Sequence, residues 1–376
     1  MEKNEKNLIK KKYYLTVLKG SSYDVGYTVA KNIDKFPNKR SLISNNIVKF
    51  KKFGFNSFND FKSSIEVACP GIIDEIQGFC DGLNLNPKKI QFFQTAYDIP
   101  RNCSVLTLLP KLTSLNNTIV AYSNEWSYLD PLEDFTFVTS QVDQKLKHFA
   151  FMGFGFGRGN GFNEKGLGIF ISNGGAFAYP LTTRGFGLAV FVRAILEQCA
   201  SIDQAIDLIK ELPVSFPYIF SIADQGGNAI RVEWLDGKYS IDIIDESSEF
   251  QYLYATNHYL NPEMVPYNSY NDGILNGEPF LQNSMTRKSL LKNFVQRHQP
   301  NINTQQLKDL FSQEYPNGPS AHLYQEGFGT MYSLLTDLTN LSLNICFGPP
   351  KYNDWIQLQP LKLSKEQYFE VTFPES

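Results

Sequence analysis

A cysteine thiol reacts as its thiolate, and only a thiol in a polar setting is primed to do so. The chain has five cysteines: Cys69, Cys80, Cys103, Cys199 and Cys346. They are scattered, odd in number and form no CxxC pair, which fits free thiols in a reducing cytoplasm. Cys103 stands where a helix-rich stretch gives way to strands. Residue type alone leaves two readings of it, a nucleophile or a small buried thiol. The four histidines (His148, His258, His298, His322) have no ligand-like spacing, so no structural zinc site is expected. No local signature resembles the Cys/His pairing of papain-type enzymes. Residues 153–161 are rich in Gly, Phe and Arg. They fit neither GxGxxG nor GxxxxGK[ST], and read as a turn between strands rather than a phosphate cradle.

These side chains must be held by a sizeable fold. The chain has 376 residues, a formal charge of −3, 42% hydrophobic and 19% charged residues. That composition excludes wholesale disorder. It lacks the basic excess of a nucleic-acid binder. The run Lys10-Lys11-Lys12 reads as a solvated tail. Length allows two or three domains or one large one, with a core that needs no staples. Aromatic residues make up 14% of the chain, which suits either core or an apolar small-molecule pocket. The start has no apolar h-region and no run of about 18 apolar residues occurs, so neither a secretory signal nor a membrane span is expected. A cytoplasmic location follows as the expectation.

Residues 13–20 read as a strand and 22–34 as a helix. A second helical stretch opens at Ser57. A third opens at Pro70, with Ile72, Ile73, Ile76 and Phe79 on one face and Gly82 at its end. Asn86-Pro87 predicts another helix carrying Ile90, Phe93 and Ala96. After Cys103 the texture turns to strands at 105–109, 118–124, 135–141, 149–154 and 167–172, with a turn at 163–166. Helices are expected over 186–199 and over 201–212, the latter capped by Ser201. A hairpin follows at 219–223 and 229–233, then helices at 284–296 and 304–313. A final hairpin is expected at 331–337 and 341–347. Strands in antiparallel groups, between blocks of helices, predict a layered α+β fold.

A series of short motifs runs through the chain in one order. They are Gly20-Ser-Ser-Tyr-Asp-Val-Gly26, Pro70-Gly-Ile-Ile-Asp-Glu-Ile-Gln-Gly78 with Gly82, and Asn102-Cys103-Ser104. Gly161-Phe-Asn-Glu-Lys-Gly-Leu167 and Ile171-Ser-Asn173 follow. Then come Ile195-Leu-Glu197 with Ala205-Ile206, and Ala223-Asp224 through Val232-Glu233. Thr256-Asn-His258, Ser284-Met-Thr-Arg287 and Gly348-Pro349-Pro350 close the series. In this order they resemble the penicillin acyltransferase (acyl-coenzyme A:6-aminopenicillanic acid acyltransferase) family of N-terminal nucleophile hydrolases. The bile-salt hydrolase and acid ceramidase group is more distantly similar.

The resemblance implies a four-layer αββα sandwich made as a precursor that cuts itself between Asn102 and Cys103. Residues 1–102 would be a helix-rich propeptide, retained as an α chain. Residues 103–376 would be the β chain, the two together forming one domain. The chemistry has its own logic. The thiol attacks the preceding carbonyl, and water resolves the thioester. Cys103 then carries both a nucleophile and an α-amino group whose ordinary pKa, ~7.7–8.0, suits a base. The resemblance further implies Asn257 as an oxyanion donor, Asn173 as a second asparagine near the site, and Arg287 as a cation beside the nucleophile. His258 is expected to be structural. The family pattern has an Asp after the second strand. Here the segment reads Ser123-Asn124-Glu125-Trp126-Ser127, so Glu125 or Asn124 would have to hold the amino group.

The activity implied is cleavage or transfer of acyl groups at linear amide bonds, without a cofactor or metal. Acyl-coenzyme A is a candidate co-substrate, although no phosphate-binding motif supports it. The partner expected is a small amide or acyl substrate, not nucleic acid or membrane. The missing Asp motivates a second reading: an unprocessed, inactive member that binds a small molecule or acyl ligand. Whether Cys103 becomes a free N-terminus separates the two.

Overall fold

The computed structural model describes residues 8–33, 57–87, 102–127, 136–152, 156–175, 185–212, 214, 216–269 and 273–375. The helix expected from Asn86-Pro87 onward falls at its start on the last described residues and otherwise lies outside them. The chain opens with strand β1 (Leu8–Gly20) and helices α1 (Ser22–Asn32), α2 (Phe58–Ala68) and α3 (Ile72–Leu83). Six strands follow: β2 (Asn102–Leu108), β3 (Ile119–Ser127), β4 (Thr136–Val142), β5 (His148–Phe151), β6 (Gly161–Asn163) and β7 (Gly168–Asn173). Helices α4 (Leu188–Gln198) and α5 (Ile202–Glu211) lead to β8 (Tyr218–Ala223), β9 (Ala229–Leu235), β10 (Lys238–Ile244) and β11 (Tyr252–Ala255). A small hairpin, β12 (Ile274–Leu275) and β13 (Glu278–Pro279), delivers α6 (Phe280–His298) and α7 (Thr304–Ser312). The chain ends in β14 (His322–Leu323), β15 (Phe328–Asp337), β16 (Ser342–Phe347), β17 (Ile356–Leu358) and β18 (Gln367–Pro374).

Two large sheets result. The first runs β10-β9-β8-β7-β6-β5-β4-β1-β18 and the second β11-β2-β3-β15-β16-β17, with β14 beside β15. Helix α1 packs on β1 and α4 on β6 and β7, which covers the outside of the first sheet. Helix α6 packs on β2 and β11, and α7 on β3 and β15, which covers the second. The inner faces meet where β2 packs on β7 and β8. This is the four-layer αββα sandwich, and the buried clusters follow its layers. Val105, Val120 and Tyr122 point between the sheets with Phe170. Leu106, Leu108 and Ala121, one residue out of phase, pack under Leu291, Phe294 and Phe311 of the outer helices. Strand alternation thus sends neighbouring residues of β2 and β3 to different layers.

Several boundaries differ from the sequence reading. Helix α3 starts at Ile72 after Gly71, whose φ is +80°, and ends at Asn84, also left-handed; Gly82 lies inside the helix. The 82 position is small for another reason. Gly26 and Ala30 of α1 cross Gly78 and Gly82 of α3, and a Cβ on Gly26 would sit 1.8 Å from the Glu75 carbonyl oxygen. Helix α6 begins a turn earlier than expected, directly after Pro279. The lysine run is not a tail. It lies in β1, where Lys10 pairs with Glu370 at 2.8 Å and Lys12 stands over the Tyr368 ring. The hairpin of β15 and β16 is not final either: β18 returns to pair antiparallel with β1, while β1 runs parallel to β4. No helix among the described residues is long and apolar enough to cross a membrane.

Candidate active site

Strand β2 is buried along its whole length. Its partner β3 sets Asn124 opposite Cys103 and Glu125 opposite Asn102. Opposite residues of an antiparallel pair share a face. Cys103 and Asn124 therefore face the inter-sheet space together with Tyr122, two residues earlier on β3. Asn102, Ser104 and Glu125 face α6 instead.

Helix α6 presents a matching stripe. Asn283, Ser284 and Arg287 recur at the spacing that puts side chains on one helix face, and Leu291, Phe294 and Val295 continue it. The apolar end of the stripe anchors the helix in the outer core. The polar end reaches β2. Arg287 is 1% exposed. Its Nη1 donates to the Cys103 carbonyl at 2.6 Å and to Ser104 Oγ at 3.1 Å. Its Nη2 donates to Asn257 Oδ1 at 2.8 Å, and its Nε to Asn283 Oδ1 at 2.9 Å. Asn102 Nδ2 donates to the same Asn283 oxygen at 3.2 Å.

Asn257 follows β11, the neighbour of β2 in the sheet. Its Oδ1 accepts from the Cys103 N–H at 3.0 Å as well as from Arg287. Two donors on one atom fix it as the oxygen. Its Nδ2 therefore turns away, to the Asn173 carbonyl at 3.2 Å. In the intact chain Asn257 thus holds the nitrogen of Cys103. The Asn257 N–H donates to Ser284 Oγ at 2.7 Å, and Ser284 Oγ lies 2.7 Å from His258 Nδ1. Burial, with Lys288 and Arg287 nearby, pushes the His258 imidazole down to about 4. It is neutral at physiological pH and serves to lock Ser284 and Asn257.

The sulfur has a partner that sequence reasoning missed. Tyr122 Oη donates to Cys103 Sγ at 3.4 Å, and Asn124 Nδ2 donates to Tyr122 Oη at 2.9 Å. Burial pushes the Tyr122 hydroxyl well above its ordinary range, so it stays protonated. Its even spacing from Asn124 on a strand was the available signal. Asn283 was also missed; its place four residues before Arg287 was the signal.

Neither residue offered as a substitute for the missing Asp reaches the Cys103 nitrogen by a hydrogen bond. Asn124 gives its Nδ2 to Tyr122, and its buried Oδ1 makes no hydrogen bond. Glu125 is on the other face, where its Oε1 accepts from Thr330 Oγ1 at 3.3 Å. Burial pushes the Glu125 carboxyl up to about 7, against the pull of Arg287.

A cavity of about 20 Å³ lies beside the sulfur, room for about one water. Asn173, Trp126, Phe151, Ile171, Leu188 and Tyr332 are among its lining. A larger groove of about 1220 Å³ runs between α6 and α7. None of Cys103, Asn257, Asn124, Asn173 and Arg287 lines it, so the chemistry belongs to the smaller site. Among the described residues no group of three or more His, Cys, Asp and Glu is placed to hold a metal.

The model of the family described as acyl-coenzyme A:6-aminopenicillanic acid acyl-transferase matches residues 124–352. The match takes in Asn124, Asn173, Asn257 and Arg287, and begins after Cys103. No curated protein sequence matches. Among solved structures, a mutant of the conjugated bile acid hydrolase from Clostridium perfringens is similar at 12% identity and a TM-score of 0.48, over 71% of this chain and 96% of that one. The Caenorhabditis elegans ortholog of N-acylethanolamine-hydrolyzing acid amidase is similar at 13% identity and a TM-score of 0.43, over 63% and 93%. Penicillin V acylase from Agrobacterium tumefaciens is similar at 13% identity and a TM-score of 0.37, over 71% and 90%. The family match spans well over half of the chain, and on that ground the protein belongs to the acyl-coenzyme A:6-aminopenicillanic acid acyl-transferase family.

Proposed function

We propose that the protein is a self-processing cysteine N-terminal nucleophile enzyme that cleaves or transfers acyl groups at linear amide bonds. The observation that carries this reading is the convergence on Cys103. Its nitrogen is held by Asn257, its carbonyl by Arg287 and its sulfur by Tyr122. Buried side chains hold both main-chain polar groups of this residue, and a hydroxyl meets its sulfur.

In maturation, Cys103 Sγ attacks the Asn102 carbonyl carbon. The S–C bond forms, the C–N bond breaks, and the thiol proton passes to the freed nitrogen. Water then hydrolyses the thioester to the Asn102 carboxylate and restores the thiol. In turnover the α-amino group takes the thiol proton, the thiolate attacks the substrate amide, and the proton leaves with the amine. Water as second acceptor gives an amidohydrolase; an amine gives an acyltransferase. Asn257 Oδ1 already accepts from the Cys103 nitrogen and would keep orienting it once it is an amine. Trp126, Phe151, Ile171, Leu188 and Tyr332 around the sulfur favour an apolar or aromatic acyl group.

The absent Asp favours a second reading, an uncut chain that binds an acyl ligand. Denaturing intact mass of wild type and Cys103→Ala separates them. The first reading expects two fragments meeting at the Asn102–Cys103 bond in wild type and one 42.8 kDa chain in the variant. One chain in both overturns self-processing and leaves the binding protein.

A further inference from the structure

We propose that Tyr122 is a catalytic residue, which stabilises the Cys103 sulfur as a thiolate through its hydroxyl proton. The proposal deepens the acyl-transfer reading above and rests on it for the role in turnover.

The geometry leaves the hydroxyl little choice. A tyrosine hydroxyl has one proton and oxygen lone pairs that accept. Asn124 Nδ2 donates into the oxygen at 2.9 Å, so the proton is free to go to Cys103 Sγ at 3.4 Å. The ring cannot swing away. Its centroid lies 5.9 Å from that of Tyr332 and 6.1 Å from that of Phe170, and Tyr122 is 1% exposed. Tyr332 is fixed in turn, because its hydroxyl accepts from Asn160 Nδ2 at 3.0 Å, while Asn160 Oδ1 accepts from the Ile171 N–H at 2.7 Å. A donor held by two layers of contacts needs no reorganisation as charge forms on sulfur.

The proton inventory balances without moving the tyrosine proton. The thiol proton passes from Sγ to the Cys103 amino nitrogen. The Tyr122 O–H stays intact and donates to the resulting thiolate. When the thiolate attacks the acyl carbon, the amide C–N bond breaks and the ammonium proton leaves with the amine. The same donor then faces the sulfur again as leaving group when water or an amine resolves the thioester.

The thiolate absorbs in the ultraviolet, and titrating it in wild type, Tyr122→Phe and Asn124→Ala tests the proposal directly. Burial pushes Cys69, Cys80 and Cys199 up to about 12 and Cys346 higher still. After subtraction of Cys103→Ala, the signal over roughly pH 5 to 9 therefore belongs to Cys103. Tyr122→Phe is expected to raise the midpoint by about one unit, tenfold less thiolate at a fixed pH below it. Asn124→Ala, which frees the hydroxyl to turn, is expected to raise it by less. An unchanged or lowered midpoint in both variants overturns the proposal. Should Tyr122→Phe fail to fold, Asn124→Ala decides alone. Intact mass on the same samples reports cleavage separately. An uncut wild type with a raised Tyr122→Phe midpoint sinks the processing reading and keeps the thiolate contact. A cut wild type with an unmoved midpoint does the reverse.

Discussion

The molecule buries charge in two places and treats it in opposite ways. Between α3, α4 and the β4–β5 turn, charge meets charge. Arg193 Nη2 lies 2.5 Å from Glu75 and its Nε 2.9 Å from Glu197, all three side chains fully buried. Lys145 lies 3.0 Å from Glu197. Burial would raise the Glu197 carboxyl, but Arg193 and then Lys145 hold it down at about 2. His148, which accepts from Arg158 Nε at 3.1 Å, is pushed down to about 3 by burial and by that cation. Glu197 and His148 are each fixed in one state near neutral pH. Around Cys103, Arg287 donates to four neutral acceptors: two side-chain amides, a hydroxyl and a peptide carbonyl. Glu125, the carboxylate that feels it, is pushed up rather than down. A cation matched by carboxylates is cancelled where it stands. One met by neutral dipoles keeps its field on the groups it touches, here the Cys103 carbonyl and Asn257. The first arrangement holds helices together, and the second suits chemistry.

The sharpest way to break this comparison is to remove each arginine. Arg193→Met strands Glu75 in the core, leaves Glu197 with Lys145 alone of its two cations, and is expected to cost about 3–5 kcal/mol in urea unfolding. Any variant that folds should still cleave. Arg287→Met leaves behind the neutral acceptors of its four hydrogen bonds, so its stability loss is expected to be the smaller one. Cleavage and turnover should instead fall by about 10²–10³-fold, the loss typical of a preorganised electrostatic contact. Unfolding midpoints beside intact mass and rate on both variants check the pair. Reversed outcomes would erase the distinction between the two regions.

Glu125→Gln is expected to act through pH. The folded carboxyl sits at about 7, above its ordinary 4.5. The folded state therefore favours the protonated form. Its contribution is complete below about pH 4.5 and is lost as pH rises through 7, on the order of 3 kcal/mol at most. Gln mimics the protonated acid, so wild type should weaken relative to Glu125→Gln across that window. Glu197 has the opposite sign: its stabilisation is present above 4.5 and disappears as pH falls through about 2. Urea midpoints at several pH values give both slopes.

What the sequence revealed depends on how far apart the partners are. The stripe at 283, 284 and 287 obeys helical spacing inside one element, and the Arg287 motif was legible there. Cys103 was legible from its place at the change of texture and from the motif order. The face of each β3 residue was not, because the register that sets Asn124 opposite Cys103 belongs to a pair of strands. A shift of one residue exchanges Asn124 for Glu125, and with it the group offered to the thiol. Lys10 was read as tail because its partner Glu370 lies 360 residues away. Glu75 and Arg193, 118 residues apart, gave no local sign of each other. Burial of both follows only from the crossing of α1 and α3 and the packing behind it.

Within the charged cluster, Lys145 offers the smallest and most discriminating change. Its ammonium lies 3.0 Å from Glu197 Oε2 but forms no hydrogen bond to it, and its side chain keeps 10% of its exposure. Glu197 retains Arg193 at 2.9 Å when Lys145 is removed. Lys145→Met is therefore expected to cost clearly less than Arg193→Met, because Glu197 keeps its hydrogen bond to the arginine. If charge matching governs this region, the cost tracks how well the remaining partner is satisfied, and Lys145→Met stays far below Arg193→Met. A loss close to that of Arg193→Met would mean that total positive charge, rather than the hydrogen-bonding geometry of one arginine, holds Glu197 in the core.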